Sequence, residues 1–194
     1  GGGEEGVEWH RAGMLANKQN VFDDFHAAAE YLIDKGWTTS NQLGIYGGSN
    51  GGLLVGAAMT QRPELFNAVV CVAPLLDMIR YVESELGPTW TVEYGDPADA
   101  EQFGWLHAYS PYHRVAQGTD YPATMFAIFD NDTRTDPMHG RKMAAAVQAA
   151  TIGSRPILVR TEGNVGHGAR SLNKSIEESA DTLTFMSHWT GLDD

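Results

Sequence analysis

The feature that most constrains the fold is a serine framed by glycines within residues 43–54. A short apolar run, Leu43 to Tyr46, leads into a Gly47-x-Ser49-x-Gly51 motif, and a helical pattern follows. This spacing is typical of a sharp strand-to-helix turn that presents a nucleophilic serine at the edge of a sheet. We expect glycine to be required on both sides, because a side chain would clash where strand and helix approach closely. The alternative is an ordinary glycine-rich turn in which Ser49 caps a helix, but the strand and helix signals on either side favour the exposed nucleophile.

Length and composition are those of a globular α/β protein. The 194 residues suffice for one domain with a full core, which we expect to span residues 1–194. A net charge of −12 leaves no basic stripe for a nucleic-acid partner. The single cysteine, Cys71, lies in an apolar run typical of a buried strand. An intramolecular disulfide and a cysteine-based metal site are therefore excluded.

Neither a membrane segment nor an export leader is evident in the sequence. No apolar run approaches the roughly 18 residues of a membrane span, so we expect no membrane partner. The chain starts with Gly1 to Glu5 and carries neither an initiator Met nor a charged-then-apolar leader. We therefore expect a cytoplasmic protein, and the unusual start indicates a fragment or a processed product.

Strand and helix patterns alternate along the chain. Residues 1–19 read as loop with a short helical turn. Helices are predicted over 20–35, 50–61, 139–150 and 175–189, with a short one near 98–107. Strands are predicted over 43–46, 66–72, 124–129 and 157–161, separated by a long irregular stretch at 74–121. This alternation indicates a mostly parallel sheet with helices on both faces.

Acidic and histidine side chains follow the later strands. Serine is a weak nucleophile and needs a base within hydrogen-bond reach, and parallel strands deliver their carboxyl-end loops to one edge. His167, framed by glycines, follows the last strand, and the order Ser49, Asp, His167 is that of α/β-hydrolases. His167 would act as the base and the aspartate would orient it, while the backbone N–H of Asn50 would hold the oxyanion. Residue types and spacing leave Asp130, Asp132 and Asp136 open as the acid.

The polar residues also allow simpler roles. His167 in a glycine loop could be merely solvated, although its place after the last strand favours the base. The remaining strand-remote histidines are predicted to be surface or packing residues: His26, His107, His113, His139 and His188. A metal site of aspartates with His139 has no recognised ligand spacing, so we predict no metal and no cofactor.

Beyond these patterns, the chain closely resembles the catalytic domain of the prolyl oligopeptidase family over nearly its whole length. The matching segments lie in order along the chain: Gly1-Gly2-Gly3-Glu4, Trp9-His10, Asn17-Lys18-Gln19-Asn20, Phe22-Asp23-Asp24-Phe25, Gly47 to Val55, Gln61-Arg62-Pro63, Asp77-Met78, Trp90, Glu93-Tyr94-Gly95-Asp96, Tyr109-Ser110-Pro111 and Gly166-His167-Gly168. The resemblance implies a partial α/β-hydrolase fold. Asn50 after the serine resembles the prolyl-specific branch.

The resemblance also implies individual roles. Asp132 matches the catalytic aspartate through an Asp-x-Arg pattern. Arg134 matches the arginine that binds the substrate carbonyl one residue before proline, although a surface ion pair with Asp130 or Asp136 is the simpler reading. Trp90 matches the indole that stacks on the proline ring and Tyr94 lines the same pocket. A core role for Trp90 is the alternative.

The chain departs from the family pattern at two points. The usual Asp-Asp-Arg-Val reads Asp132-Thr133-Arg134-Thr135. Family members also carry, upstream of this stretch, a β-propeller and the first sheet strands, with a tyrosine that donates the second oxyanion hydrogen bond. An uncovered sheet edge would favour a homo-oligomer.

Three functional hypotheses follow. The first is a serine peptidase that cleaves after proline through an acyl-enzyme. The second is a hydrolase of small carboxylic esters with the same triad and an open site. The third is a catalytically silent fragment that needs a partner chain. The sequence does not discriminate peptide from ester substrates.

Overall fold

The protein is described by a computed structural model that covers residues 1–168 and 170–192. Four parallel strands form one sheet in the order β1-β2-β3-β4: β1 Gly44–Gly48, β2 Ala68–Val72, β3 Ala123–Phe129 and β4 Ile157–Glu162. The helices are α1 Val7–Arg11, α2 Gln19–Asp34, α3 Asn50–Gln61, α4 Thr91–Tyr94, α5 Ala100–Tyr109, α6 Met138–Ala150 and α7 Leu172–Thr190. The predicted parallel α/β architecture is confirmed. Within the described residues, every helix is too short or too polar to cross a membrane.

Both faces of the sheet are covered, as predicted. On one face Ile45, Cys71 and Phe126 pack against apolar residues of α2, α3 and α6. On the other face Val70 and Met125 join a cluster that includes Phe185 of α7. β2 is buried along its whole length, because it is a central strand with helices above and below. Burial raises the pKa of the Cys71 thiol, which makes this cysteine an inert packing residue as expected.

The register aligns the carboxyl ends of the strands. Gly48 pairs with Val72 and Val72 with Ala127, while Phe129 pairs with Glu162. The residues that directly follow β1, β3 and β4 therefore meet at one edge of the sheet, where ligands bind in folds of this kind.

The stretch at 74–121 is more ordered than its irregular sequence indicates. It contains α4, α5 and several 3-10 turns, and its apolar residues form a third core cluster with side chains of α2 and α3. Asp99 caps α5 by accepting hydrogen bonds from the backbone N–H groups of Glu101 and Gln102. The short helix predicted at 98–107 lies at Ala100–Tyr109.

Element ends differ from the predictions by a few residues. α7 begins at Leu172 rather than near 175, because Ser171 caps it by accepting from the backbone N–H of Lys174. β1 continues to Gly48, two residues beyond the predicted strand, since its pairing with β2 extends up to the serine. Residues 1–19, predicted as loop with one helical turn, contain the five-residue α1 and a 3-10 turn at Leu15–Asn17.

Candidate active site

Ser49 occupies the sharp turn that the motif predicts. It lies between β1 and α3 with φ 58° and ψ −118°, a conformation that a non-glycine residue rarely adopts. Its backbone N–H donates to the carbonyl of Val72 over 2.8 Å, which ties the turn to the end of β2. Strained backbone of this kind persists only where the surrounding structure enforces it, and it is common at functional sites.

The glycines of the motif have unequal roles. A Cβ atom on Gly47 would lie 2.1 Å from the carbonyl oxygen of Gly51, so no larger residue fits there. Gly52 is similarly confined, since its Cβ would lie 2.7 Å from Pro74. A Cβ on Gly51 would meet no described atom within 4 Å. We expected glycine on both sides of Ser49 to avoid a clash. This is confirmed for Gly47 and wrong for Gly51, because a Cβ atom on Gly51 would enter open space.

Ser49, His167 and Asp132 form a continuous hydrogen-bonded chain. Nε2 of His167 lies 3.0 Å from Oγ of Ser49, and its Nδ1 lies 2.8 Å from Oδ2 of Asp132. Because the buried carboxylate accepts a hydrogen bond from the Nδ1–H group, the network assigns the tautomer in which Nε2 is free to accept from the serine. These are the distances required of a nucleophile, a base and an orienting acid.

The structure separates Asp132 from the two neighbouring carboxylates. Asp132 is 5% exposed and faces His167. Asp130 instead pairs with Arg141 over 2.8 Å. Asp136 accepts a hydrogen bond from the backbone N–H of Met138 at the start of α6. Of the three carboxylates, Asp132 is thus the one that lies within hydrogen-bond distance of His167.

The loop after β3 surrounds the Asp132 carboxylate with donors. Oδ1 accepts from the backbone N–H groups of Arg134 and Thr135, each over 2.9 Å. Burial favours the neutral acid, but the hydrogen bonds from His167 and Thr135 outweigh it and hold the pKa of Asp132 below its usual value. Asp132 is consequently an anion at neutral pH.

Asn50 provides one oxyanion donor and anchors a second side chain. It is the first residue of α3, so its backbone N–H has no partner within the helix and is available to a substrate. Its side-chain Oδ1 accepts from the hydroxyl of Tyr94 over 2.8 Å. Tyr94 is therefore held beside the nucleophile although 44 residues separate it from Asn50.

Trp90 and Arg134 complete the set of residues named from the sequence. Trp90 ends the 3-10 turn Gly87–Trp90 that leads into α4, and it is partly exposed while packing against the cluster that contains Tyr94. Arg134 is exposed, and within residues 1–168 and 170–192 it forms no ion pair with Asp130 or Asp136. Burial raises the pKa of the Tyr94 phenol, and the charge of Arg134 opposes part of that rise.

The sequence reasoning assigned no role to a buried ion pair that supports this pocket. Lys18 is 3% exposed, and its Nζ lies 2.9 Å from Oε1 of Glu93. His10 Nε2 lies 2.8 Å from the other oxygen of the same carboxylate. These contacts tie the chain before α2 to α4, and Nζ of Lys18 lies 5.3 Å from the centre of the Tyr94 ring. The only available signal was that Lys18 and Glu93 fall in matched segments.

The remaining histidines pack or lie at the surface, as predicted. His139 is 1% exposed, and its Nδ1 accepts the backbone N–H of Asp77 over 3.1 Å. Burial lowers the pKa of His139 to about 4, so it is a neutral packing residue. Among the residues that the structure describes, no group of three or more His, Cys, Asp or Glu side chains is arranged to hold a metal ion.

The sheet is parallel, and a strained serine follows one strand, an aspartate a later strand and a histidine the last strand. This arrangement defines a serine hydrolase of the α/β-hydrolase class. Comparison with known proteins makes the class more specific. The family model described as "Prolyl oligopeptidase family" matches residues 1–193. The chain therefore belongs to the prolyl oligopeptidase family.

Individual relatives agree with this assignment. The chain is 45% identical over 194 residues to a prolyl endopeptidase of Elizabethkingia miricola, covering 99% of this chain and 28% of that protein. A solved structure from a study of two prolyl endopeptidases superposes with a TM-score of 0.96 at 55% identity, over 98% of this chain and 28% of that one. A post-proline cleaving enzyme from Rickettsia typhi gives a TM-score of 0.93 at 38% identity, over 100% and 28% of the two chains. The chain thus spans somewhat more than a quarter of the length of these relatives.

Proposed function

We propose that this chain carries the catalytic site of a serine peptidase that cleaves peptide bonds on the carboxyl side of proline. The observation that carries the proposal is the continuous Ser49–His167–Asp132 chain of hydrogen bonds, beside which Tyr94 is anchored through Asn50. Family membership and the post-proline cleavage for which the relatives above are named support the choice of substrate.

The proposed reaction proceeds in two halves. Oγ of Ser49 attacks the carbonyl carbon as its proton moves to Nε2 of His167, and the N–H of Asn50 stabilises the oxyanion. When the tetrahedral intermediate collapses, the C–N bond breaks and the imidazolium gives its proton to the departing amine. A water molecule, deprotonated by His167, then attacks the ester carbonyl and releases the acid and Ser49. Asp132 stabilises the imidazolium throughout.

The pocket residues supply the specificity. A flat aromatic face such as Trp90 can bury the rigid proline ring at little entropic cost. Arg134 projects a guanidinium with no ion-pair partner in the described part of the chain, which suits a donor to a peptide carbonyl. Tyr94 closes the pocket on the side of Asn50.

The test compares a proline-linked chromogenic peptide, its alanine-linked counterpart and a p-nitrophenyl acyl ester. Ser49→Ala should lower kcat for the proline peptide by roughly 10^4-fold or more. Trp90→Ala should lower kcat/KM for the proline peptide by about 10-fold or more while changing ester hydrolysis little, whereas Trp37→Ala, which removes a 76% exposed indole, should change neither. Ester hydrolysis without any preference for proline would contradict the proposal in favour of an open-site esterase. Failure of a fluorophosphonate to label Ser49 would contradict it in favour of a silent fragment.

A further inference from the structure

We propose that Thr135 is a positioning residue that tunes the basicity of the Asp132–His167 pair. Its side chain is 2% exposed and lies against the hydrogen bond that joins the two residues. Oγ1 of Thr135 is 2.9 Å from Oδ2 of Asp132 and 3.1 Å from Nδ1 of His167. It is also 2.9 Å from the carbonyl oxygen of Ala73, which directly follows β2.

Counting protons limits what the hydroxyl can do. A threonine hydroxyl has one proton to donate and two lone pairs. Nδ1 of His167 already carries a hydrogen, which it donates in the hydrogen bond to Asp132, so Thr135 can only accept from Nδ1. The Thr135 proton must therefore go to the Asp132 carboxylate or to the Ala73 carbonyl. The carboxylate is the stronger acceptor, because hydrogen bonds to a charged oxygen are about twice as strong as neutral ones.

With the proton on that side, Asp132 accepts from four donors. The backbone N–H groups of Arg134 and Thr135 reach Oδ1, and the Thr135 hydroxyl and His167 reach Oδ2. Each added donor stabilises the Asp132 carboxylate whether His167 is neutral or protonated. The carboxylate therefore gains less from a protonated His167, and the attraction between the two weakens. Thr135 thus keeps the base in its neutral, proton-accepting form to lower pH than valine would.

Other charged groups flank the pair but are the same in every variant used for the test. Arg134 and Asp136 lie on the loop after β3, and His139 follows at the start of α6. On the side of His167, Arg170 pairs with Glu178 of α7. A difference in the His167 titration between variants at position 135 therefore reflects the presence or absence of the hydroxyl.

The experiment measures the ring-nitrogen NMR signals of His167 against pH in the parent, Thr135→Val and Thr135→Ser, with His167→Gln used to identify those signals. Valine keeps the shape of threonine and removes the hydroxyl, whereas serine keeps the hydroxyl. The midpoint of the His167 titration should move to higher pH in Thr135→Val, because Asp132 loses a donor. It should stay at the parent value in Thr135→Ser. Thr135→Ala also lacks the hydroxyl, so its His167 midpoint should rise as in Thr135→Val. The alanine variant replaces the valine variant if the latter does not fold.

A midpoint that is unchanged or lower in the hydroxyl-free variants would overturn the proposal, since it would place the Thr135 proton on Ala73. A purely structural role would reduce thermal stability without moving the midpoint, and that outcome also contradicts it. The acidic limb of the kcat/KM profile for a proline peptide should move with the NMR midpoint. The link to turnover rests on the proposed function, but the titration does not. If the midpoint shifts but the protein does not cleave a proline peptide, the proposed function would be contradicted and the role of Thr135 would stand.

Discussion

Asp132 shows how a single carboxylate is fitted to its task by the groups around it. Burial alone would favour its neutral form, yet hydrogen bonds from His167 and Thr135 hold its pKa below the ordinary value. An anion is then always present to accept from Nδ1 of His167. Two consequences can be measured, one for activity and one for stability.

Replacing Asp132 by Asn should abolish most activity. The Asn side chain would offer an N–H to Nδ1, so His167 would hold its proton on Nε2 and could no longer accept from Ser49. A loss of roughly 10^4-fold in kcat is expected, as found for the corresponding change in other triads. Steady-state hydrolysis of a proline peptide checks this, with Asp130→Asn as the control because Asp130 faces Arg141. Equal losses in both variants would contradict the assignment of Asp132.

The same variant tests the charge state through folding. A carboxyl whose pKa is lowered on folding adds stability that is complete above its unfolded pKa of about 3.9 and is lost as pH falls towards the folded value. The free energy of unfolding of the parent minus that of Asp132→Asn should therefore shrink as the pH falls below about 5. Urea unfolding at several pH values measures it. Taking the difference between the two proteins cancels the other carboxylates, whereas a difference that grows in acid would refute the lowered pKa.

At the scale of elements, the junction between β1 and α3 controls the site. The strand and the helix approach so closely that the space for a Cβ at Gly47 is already filled by the backbone of Gly51. The hydrogen bond from Ser49 to Val72 then anchors this turn to β2. The elbow is thus a packing unit of two elements as well as a local turn.

Gly47→Ala and Gly51→Ala form a matched pair that tests this packing. Gly47→Ala should destabilise the protein by about 2 kcal/mol or more, because strand and helix must separate to admit a methyl group. Fluorophosphonate labelling of Ser49 should fall with it. Gly51→Ala should be neutral or stabilising by up to about 1 kcal/mol, since alanine is the better helix former and the site is open. Comparable damage from both substitutions would show that the two glycines share one steric role.

At the scale of the whole described chain, the sheet ends at β1, which has a strand on one side only. Among the described strands, β1 pairs with β2 alone. The carbonyl of Leu43 and the N–H of Ser49 both form hydrogen bonds on the β2 side of the strand. Successive residues of a strand direct their backbone groups to alternate sides, so those of the even-numbered residues in between face the other edge. The side chains there offer no charge, because the even positions are Gly44, Tyr46 and Gly48. β4, at the opposite edge, carries Arg160 and Glu162, which discourage pairing.

We therefore expect two copies of this chain to associate through β1 at high concentration. Light scattering after size exclusion should show a mass that rises from monomer towards dimer with concentration. Tyr46→Pro removes an edge N–H and should keep the protein monomeric, whereas Tyr46→Ala keeps that N–H and should still dimerise. A monomer at all concentrations for the parent, or equal dimerisation of both variants, would contradict pairing through this edge.

Local sequence signals determined much of the protein. Alternating strand and helix patterns predicted the parallel sheet, and Ser49 and His167 were identified because each follows a strand. Glycine spacing, strand order and cap residues act over a few neighbouring positions, so they can be read without knowing the fold. Errors concerned mainly element ends and the ordered helices within 74–121, whose stability comes from packing on α2 and α3.

Tertiary structure decided what depends on long-range contact. Three carboxylates lie within seven positions, and only the course of the loop after β3 turns Asp132 towards His167 and the other two elsewhere. The Lys18–Glu93 pair joins residues 75 positions apart, and Tyr94 reaches Asn50 across 44. The hydroxyl of Thr135 acquires its role only because β2, the loop after β3 and the loop after β4 converge on one point. No local sequence pattern predicts these long-range contacts, since they form when burial of apolar surface brings distant segments together.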